Sequence, residues 1–105
     1  MKTRLTLQTE LENILGSRNV YYNPPENLKM KFPCIVYKLE FIDNKHANNN
    51  KYIDYTTYKI YVISKDVDHP AVKAILNLPS TRFVTRYTRD GLYHDIINLI
   101  QKEKQ

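Results

Sequence analysis

The sequence predicts a single α+β domain: a small, mostly antiparallel sheet of four to five strands, flanked by an N-terminal helix and a short internal helix. Three observations predict it. The chain opens on apolar residues at helical spacing, continues into stretches where apolar and polar residues alternate, and carries a proline-marked helix start between two such stretches. Its 105 residues suit one domain, and no repeat or linker divides residues 1–105. Hydrophobic residues at 42% and charged residues at 26% are the balance of a folded chain rather than a disordered one. Nine tyrosines against two glycines favour half-buried strands and wet interfaces.

The elements follow in order. Leu7, Leu11, Ile14 and Leu15 fall on one face of a helix, with Glu10 and Glu12 off that stripe and Gly16 placed to stop it. Residues 18–22 read as a short extended piece before Pro24 and Pro25, which forbid helix. After Pro33 the chain alternates: Ile35, Tyr37, Leu39 and Phe41 take one face, and Cys34, Val36, Lys38 and Glu40 the other. Residues 43–51 are polar and too long for a tight hairpin, so they read as a mobile loop. A second strand then sets Tyr58, Ile60 and Val62 against Lys59, Tyr61 and Ile63, and pairs antiparallel with the first.

Asp68 reads as the cap, and Pro70 as a first-turn residue, of a short helix with the stripe Val72, Ile75 and Leu76; Pro79 ends it. Residues 81–88 read as a strand with Phe83 and Tyr87 on one face, and Asp90-Gly91 is a tight-turn signal. The final segment fits two templates. Leu92, Ile96, Leu99 and Ile100 have helical spacing, while Tyr93, Asp95, Ile97 and Leu99 alternate. The preceding turn and the β-branched and aromatic content favour the strand.

Chemistry finds little purchase. His46, His69 and His94 match no zinc spacing, and the lone Cys34 allows neither an intramolecular disulfide nor a cysteine-only metal site. Gly16 and Gly91 are too far apart for a phosphate loop, and neither Ser64 nor Ser80 sits in a glycine elbow. The expectation is therefore a protein with no catalytic residues, no metal and no cofactor. Apolar runs fall far short of the roughly 20 residues that span a bilayer. The net charge of +5 is compatible with nucleic acid, anionic lipid or an acidic partner. No three basic residues run together, so a solubilising basic surface is the plainer reading.

Two features remain for binding. Asn44, Lys45, His46, Asn48, Asn49, Asn50 and Lys51 form either an ordinary hairpin connection or a contact element that orders on assembly. Arg82, Arg86 and Arg89 lie on or beside one strand; Arg82 and Arg86 share one face of it, two pleats apart, and meet an acidic neighbour, a phosphate backbone or plain solvent.

Particular runs carry a resemblance. Residues 22–37 (YNPPENLKMKFPCIVY), 58–64 (YKIYVIS) and 82–95 (RFVTRYTRDGLYHD) resemble small proteins of long-tailed phages, the tail terminators, also called tail-to-head joining or tail completion proteins. The resemblance implies a small sheet flanked by helices and a homohexameric ring that caps the tail tube. It implies a virion protein of the neck, assembled in the bacterial cytoplasm, with the tail tube protein and a head-completion ring as partners and DNA passing through unread. The 43–51 segment becomes a candidate contact between subunits or rings, and no catalytic residue transfers. A head-completion or other neck connector subunit, or a small basic nucleic-acid-binding module, stands as the alternative.

Overall fold

The described residues form, in chain order, α1 (Arg4–Leu15), β1 (Val20–Tyr22), β2 (Cys34–Ala47), β3 (Lys51–Ser64), α2 (Pro70–Leu76), β4 (Thr81–Arg89) and β5 (Leu92–Lys104). The computed structural model describes residues 4–25, 28–47 and 51–104. The strands make one sheet in the order β1-β2-β3-β5-β4, with β1 parallel to β2 and every other pairing antiparallel. The expected α+β architecture is therefore present, and the final segment is a strand.

Both helices cover the same face of the sheet. Leu7 and Leu11 of α1 and Ala71 and Ile75 of α2 pack on Ile35 and Tyr37, on Tyr58, Ile60 and Val62, and on Ile97 and Leu99. These strand residues alternate with the outward ones because the side-chain period of a strand is two. Gly16, at φ +80°, ends α1 as its spacing predicts, its N–H donating to the Glu12 carbonyl. Asp90 at +53° and Gly91 at +72° supply the positive φ values of the tight β4–β5 turn.

Gln8 ties α1 to the sheet. Its Nε2 donates to the Val20 carbonyl and to Glu12, both at 3.1 Å, and its Oε1 accepts from the Tyr37 hydroxyl. Tyr37, Tyr22 and Tyr58 form a ring cluster beneath, with Tyr22 and Tyr37 centroids 4.9 Å apart, and the Arg4 guanidinium sits 4.5 Å from the Tyr22 centroid. Burial pushes the Tyr37 hydroxyl above its ordinary pKa.

The other face is covered only at one end. There Cys34, Val36, Ile63 and Leu92 are buried against Tyr21, Met30 and Tyr61. Elsewhere no helix packs on this face, although Thr57 and Ile96 are buried among their strand neighbours.

Four expectations about the elements themselves need correction. Most of the segment read as a loop is strand: β2 and β3 stay in register from Asp43↔Tyr55 to Ala47↔Lys51. Polar composition hid a ladder that backbone groups alone can build. Second, a bulge between Leu39 and Phe41 turns Phe41 to the face opposite Leu39. Third, a bulge between Phe83 and Thr85 puts Phe83, opposite Ile97, and Tyr87, opposite His94, on different faces. Fourth, the cap of α2 is His69, whose Nδ1 accepts from the Ala71 N–H at 3.1 Å, and not Asp68.

Replacing Gln8 with Ala should remove the side-chain donor to the Val20 carbonyl and the acceptor of the buried Tyr37 hydroxyl. Stability should fall by about 1–3 kcal/mol, seen as a lower urea midpoint at unchanged slope.

Candidate functional site

The β4 bulge decides what the three arginines do. Arg82 pairs in register with Asn98, and Arg86 with Asp95. Those β5 partners are an odd number of residues apart, so Arg82 and Arg86 point to opposite faces, against the expectation that they share one. Arg86 lies on the helix face, where Nε and Nη2 engage both carboxylate oxygens of Asp95, the Nη2–Oδ2 bond measuring 3.1 Å. Nη2 also donates to the Val67 carbonyl, and the guanidinium lies 5.2 Å from the Tyr93 centroid. Asp95 is only 1% exposed, so this bidentate pair neutralises a buried carboxylate and pins the β3–α2 turn to β4. The hydrogen bond to Asp95 holds the Arg86 guanidinium above its ordinary pKa. Arg86 is thereby committed inside the chain and is not a free docking group.

Arg82 and Arg89 stay exposed on the open face. Arg89 makes a loose 3.9 Å pair with Asp90, both side chains being in solvent. Of the other expected contact residues, Asn44, Lys45, His46 and Lys51 lie in the β2–β3 ladder, opposite Asp54, Ile53, Tyr52 and Ala47. Their side chains lie outside the described residues, as do Asn48, Asn49 and Asn50 altogether.

Register gathers cations that the sequence keeps apart. Lys38 on β2 faces Lys59 on β3, which faces Asn98 on β5, which faces Arg82 on β4. These four residues make one row across the open face, about 14 Å from the first strand to the last. The signal was present in the sequence, because Lys38 and Lys59 are the outward positions of two alternating strands. It could not be read without knowing which residue of one strand lies opposite which of the other. One row further, Tyr61 lies beneath the Lys38 ammonium at 5.7 Å. Beyond it the rings of Tyr87 and His94 stack with centroids 4.5 Å apart and planes within 11°.

Apolar side chains are uncovered where the sheet extends past the helices. Leu39 and Ile42 lie on the helix face by register, opposite Tyr58 and Thr56, and both are exposed. Phe41, 57% exposed, and Ile100, 48% exposed, flank Thr57 on the open face. On β4, Phe83 and Val84 are exposed as well.

Cys34 is fully buried, and burial pushes its thiol from 9.0 up to about 12. It is a small apolar core residue in function. Among the described residues no group of three or more His, Cys, Asp and Glu side chains is placed to hold a metal ion. Among them, too, no helix is long and apolar enough to cross a membrane.

Two outcomes follow from this geometry. Arg86→Leu, which leaves Asp95 buried without its cation, should lower the melting temperature clearly, whereas Arg89→Leu should leave it unchanged. The folded state holds the Cys34 proton through the range in which the unfolded thiol ionises. That contribution to stability is complete below pH 9.0 and is lost as pH rises towards about 12, so wild type should weaken relative to Cys34→Val in urea titrations across that window.

Scanned against known protein families the chain matches none, and no curated protein is significantly similar to it.

Proposed function

We propose that the chain is a structural subunit of a tailed-phage neck. Copies of it close into a ring, hexameric on the resemblance, that caps the tail tube, ends its growth and joins tail to head. The observation that supports this reading is the uncovered apolar surface on the part of the sheet beyond the helices. Leu39 and Ile42 lie on one face there, Phe41 and Ile100 on the other. A small domain that leaves large apolar side chains in water on both sides of one sheet gains stability when a neighbour covers them.

The edges fit the same role. The sheet ends on β4, nine residues long with all but Thr81 exposed, so one side of its backbone is open to a further contact. Contacts of unlike surfaces, repeated by rotation, close into a ring rather than a dimer. The work of such a subunit is mechanical. It catalyses nothing, needs no cofactor, is built in the host cytoplasm and stays in the virion. Its partners are its own copies, the tail tube protein and the head-completion ring, with DNA passing through unread.

Light scattering on the purified protein, alone and with the tail tube protein of the same phage, at low and high salt, tests this. A closed oligomer or capped short tubes is expected, and Phe41→Ser with Ile100→Ser should keep the circular dichroism of wild type while weakening assembly by at least about tenfold. A monomer under every condition, indifferent to the tube protein, would overturn the reading.

A further inference from the structure

The open face of the sheet carries a pattern that ring assembly does not use. Lys38 and Lys59 stand directly opposite each other on neighbouring strands. Like charges at such positions repel and destabilise a sheet. Neither they nor Arg82, the third cation of the row, has a carboxylate partner among the described residues. By register the described strand residues place Asp43 on this face, and it already has a partner; Glu40, in the β2 bulge one alternation beyond Lys38, makes no ion pair with the row, and Asp90 sits in the turn beside Arg89. Among the described residues the row is thus left with unneutralised positive charge, which suits an anionic ligand.

The surroundings say which kind. On one side of the row lies a hollow bordered by Phe41, Thr57 and Ile100; on the other, one bordered by Val36, Tyr61, Tyr87 and His94, with Arg89 at its far end. Aromatic and cationic groups therefore alternate along the face. Tyr87 stacks on His94 through one side of its ring, and among the described residues no strand lies beyond β4 to cover the other side. That free ring face, at a side chain 41% exposed, can carry one more flat ring in the same stack. An acidic peptide would satisfy the cations but has no repeating flat groups for such a stack. A single-stranded nucleic acid supplies both, phosphates for the cations and bases for the rings.

We infer that this face is a binding site for single-stranded nucleic acid, without sequence preference. Lys38, Lys59 and Arg82 hold the phosphate backbone, Tyr87 on its His94 support takes a base, and Arg89 extends the cationic track. Asn98, whose Oδ1 is buried without a hydrogen-bond partner, stands in the middle of the cation row. The ring proposal is independent of this site, since its apolar surface and the row are different residues apart from their shared border.

Fluorescence anisotropy with a fluorescein-labelled oligothymidylate, titrated at several salt concentrations, tests the site. Binding is expected to weaken steeply with salt, and Lys59→Ala with Arg82→Ala should lower the slope of log K against log salt by about 1.4 and weaken binding at low salt by about tenfold or more. Tyr87→Ala should weaken it about fivefold or more with the slope unchanged. Lys73→Ala, an exposed cation on α2, is the control and should change nothing; circular dichroism establishes that each variant is folded. The inference is overturned by no binding at low salt, by equal losses in the row variants and the Lys73 control, or by a polyglutamate peptide displacing the oligonucleotide at equal charge concentration.

Discussion

Everything in this fold is referred to β3. It is hydrogen-bonded on both sides, to β2 and to β5, through an unbroken alternation. Its even-numbered residues from Thr56 to Ser64 are buried on the helix side, and its odd-numbered residues face the other way. A one-residue slip of either partner would carry a whole set of apolar side chains to the wrong face. The helices dock where Tyr58, Ile60 and Val62 present themselves, and the cation row exists because Lys59 is the outward residue between them. The core and the open face are thus two readings of one register.

The two bulges show where that logic is interrupted, and why sequence reading went astray there. The helix spacing of Leu7, Leu11, Ile14 and Leu15, the alternation in β3 and the Asp90-Gly91 turn were legible because each is a local pattern with one physical cause. A bulge has no such signature. Nothing in the residues around Glu40 or Val84 announces an extra residue, yet each reverses the faces of all that follows on its strand. Arg86 changes by this from a presumed surface charge into the partner of a buried carboxylate. The 43–51 segment was misread for another reason. Its polarity suited a loop, but backbone groups build the β2–β3 ladder without apolar side chains, and β5 continues it on the other side of β3 as far as Ile53↔Lys104.

The candidate site was legible in part. Arg82 and Arg89 stand exposed, while Lys38 and Lys59 were hidden as a pair because they lie far apart along the chain. The strand partners of a cation are set by pairing, which sequence distance conceals. Lys38 and Lys59 come together across a hairpin, and Arg82 joins them only through Asn98 of β5. Four of the chain's 16 basic residues, Lys38, Lys59, Arg82 and Arg89, thus share one face of the sheet although they are scattered along the sequence.

The strand order has a kinetic meaning. β2 with β3, and β4 with β5, are hairpins whose contacts are close in sequence, while the seam between β3 and β5 joins residues separated by α2 and the whole of β4. Loop-closure entropy makes that seam the slow step of folding. Until it forms, each hairpin shows a long bare edge lined by Ile60 and Val62 or by Ile97 and Leu99, and identical chains nearby offer edges of the same shape. A subunit made in many copies is most exposed to mispairing in this interval, before either helix has covered the residues that the seam brings together.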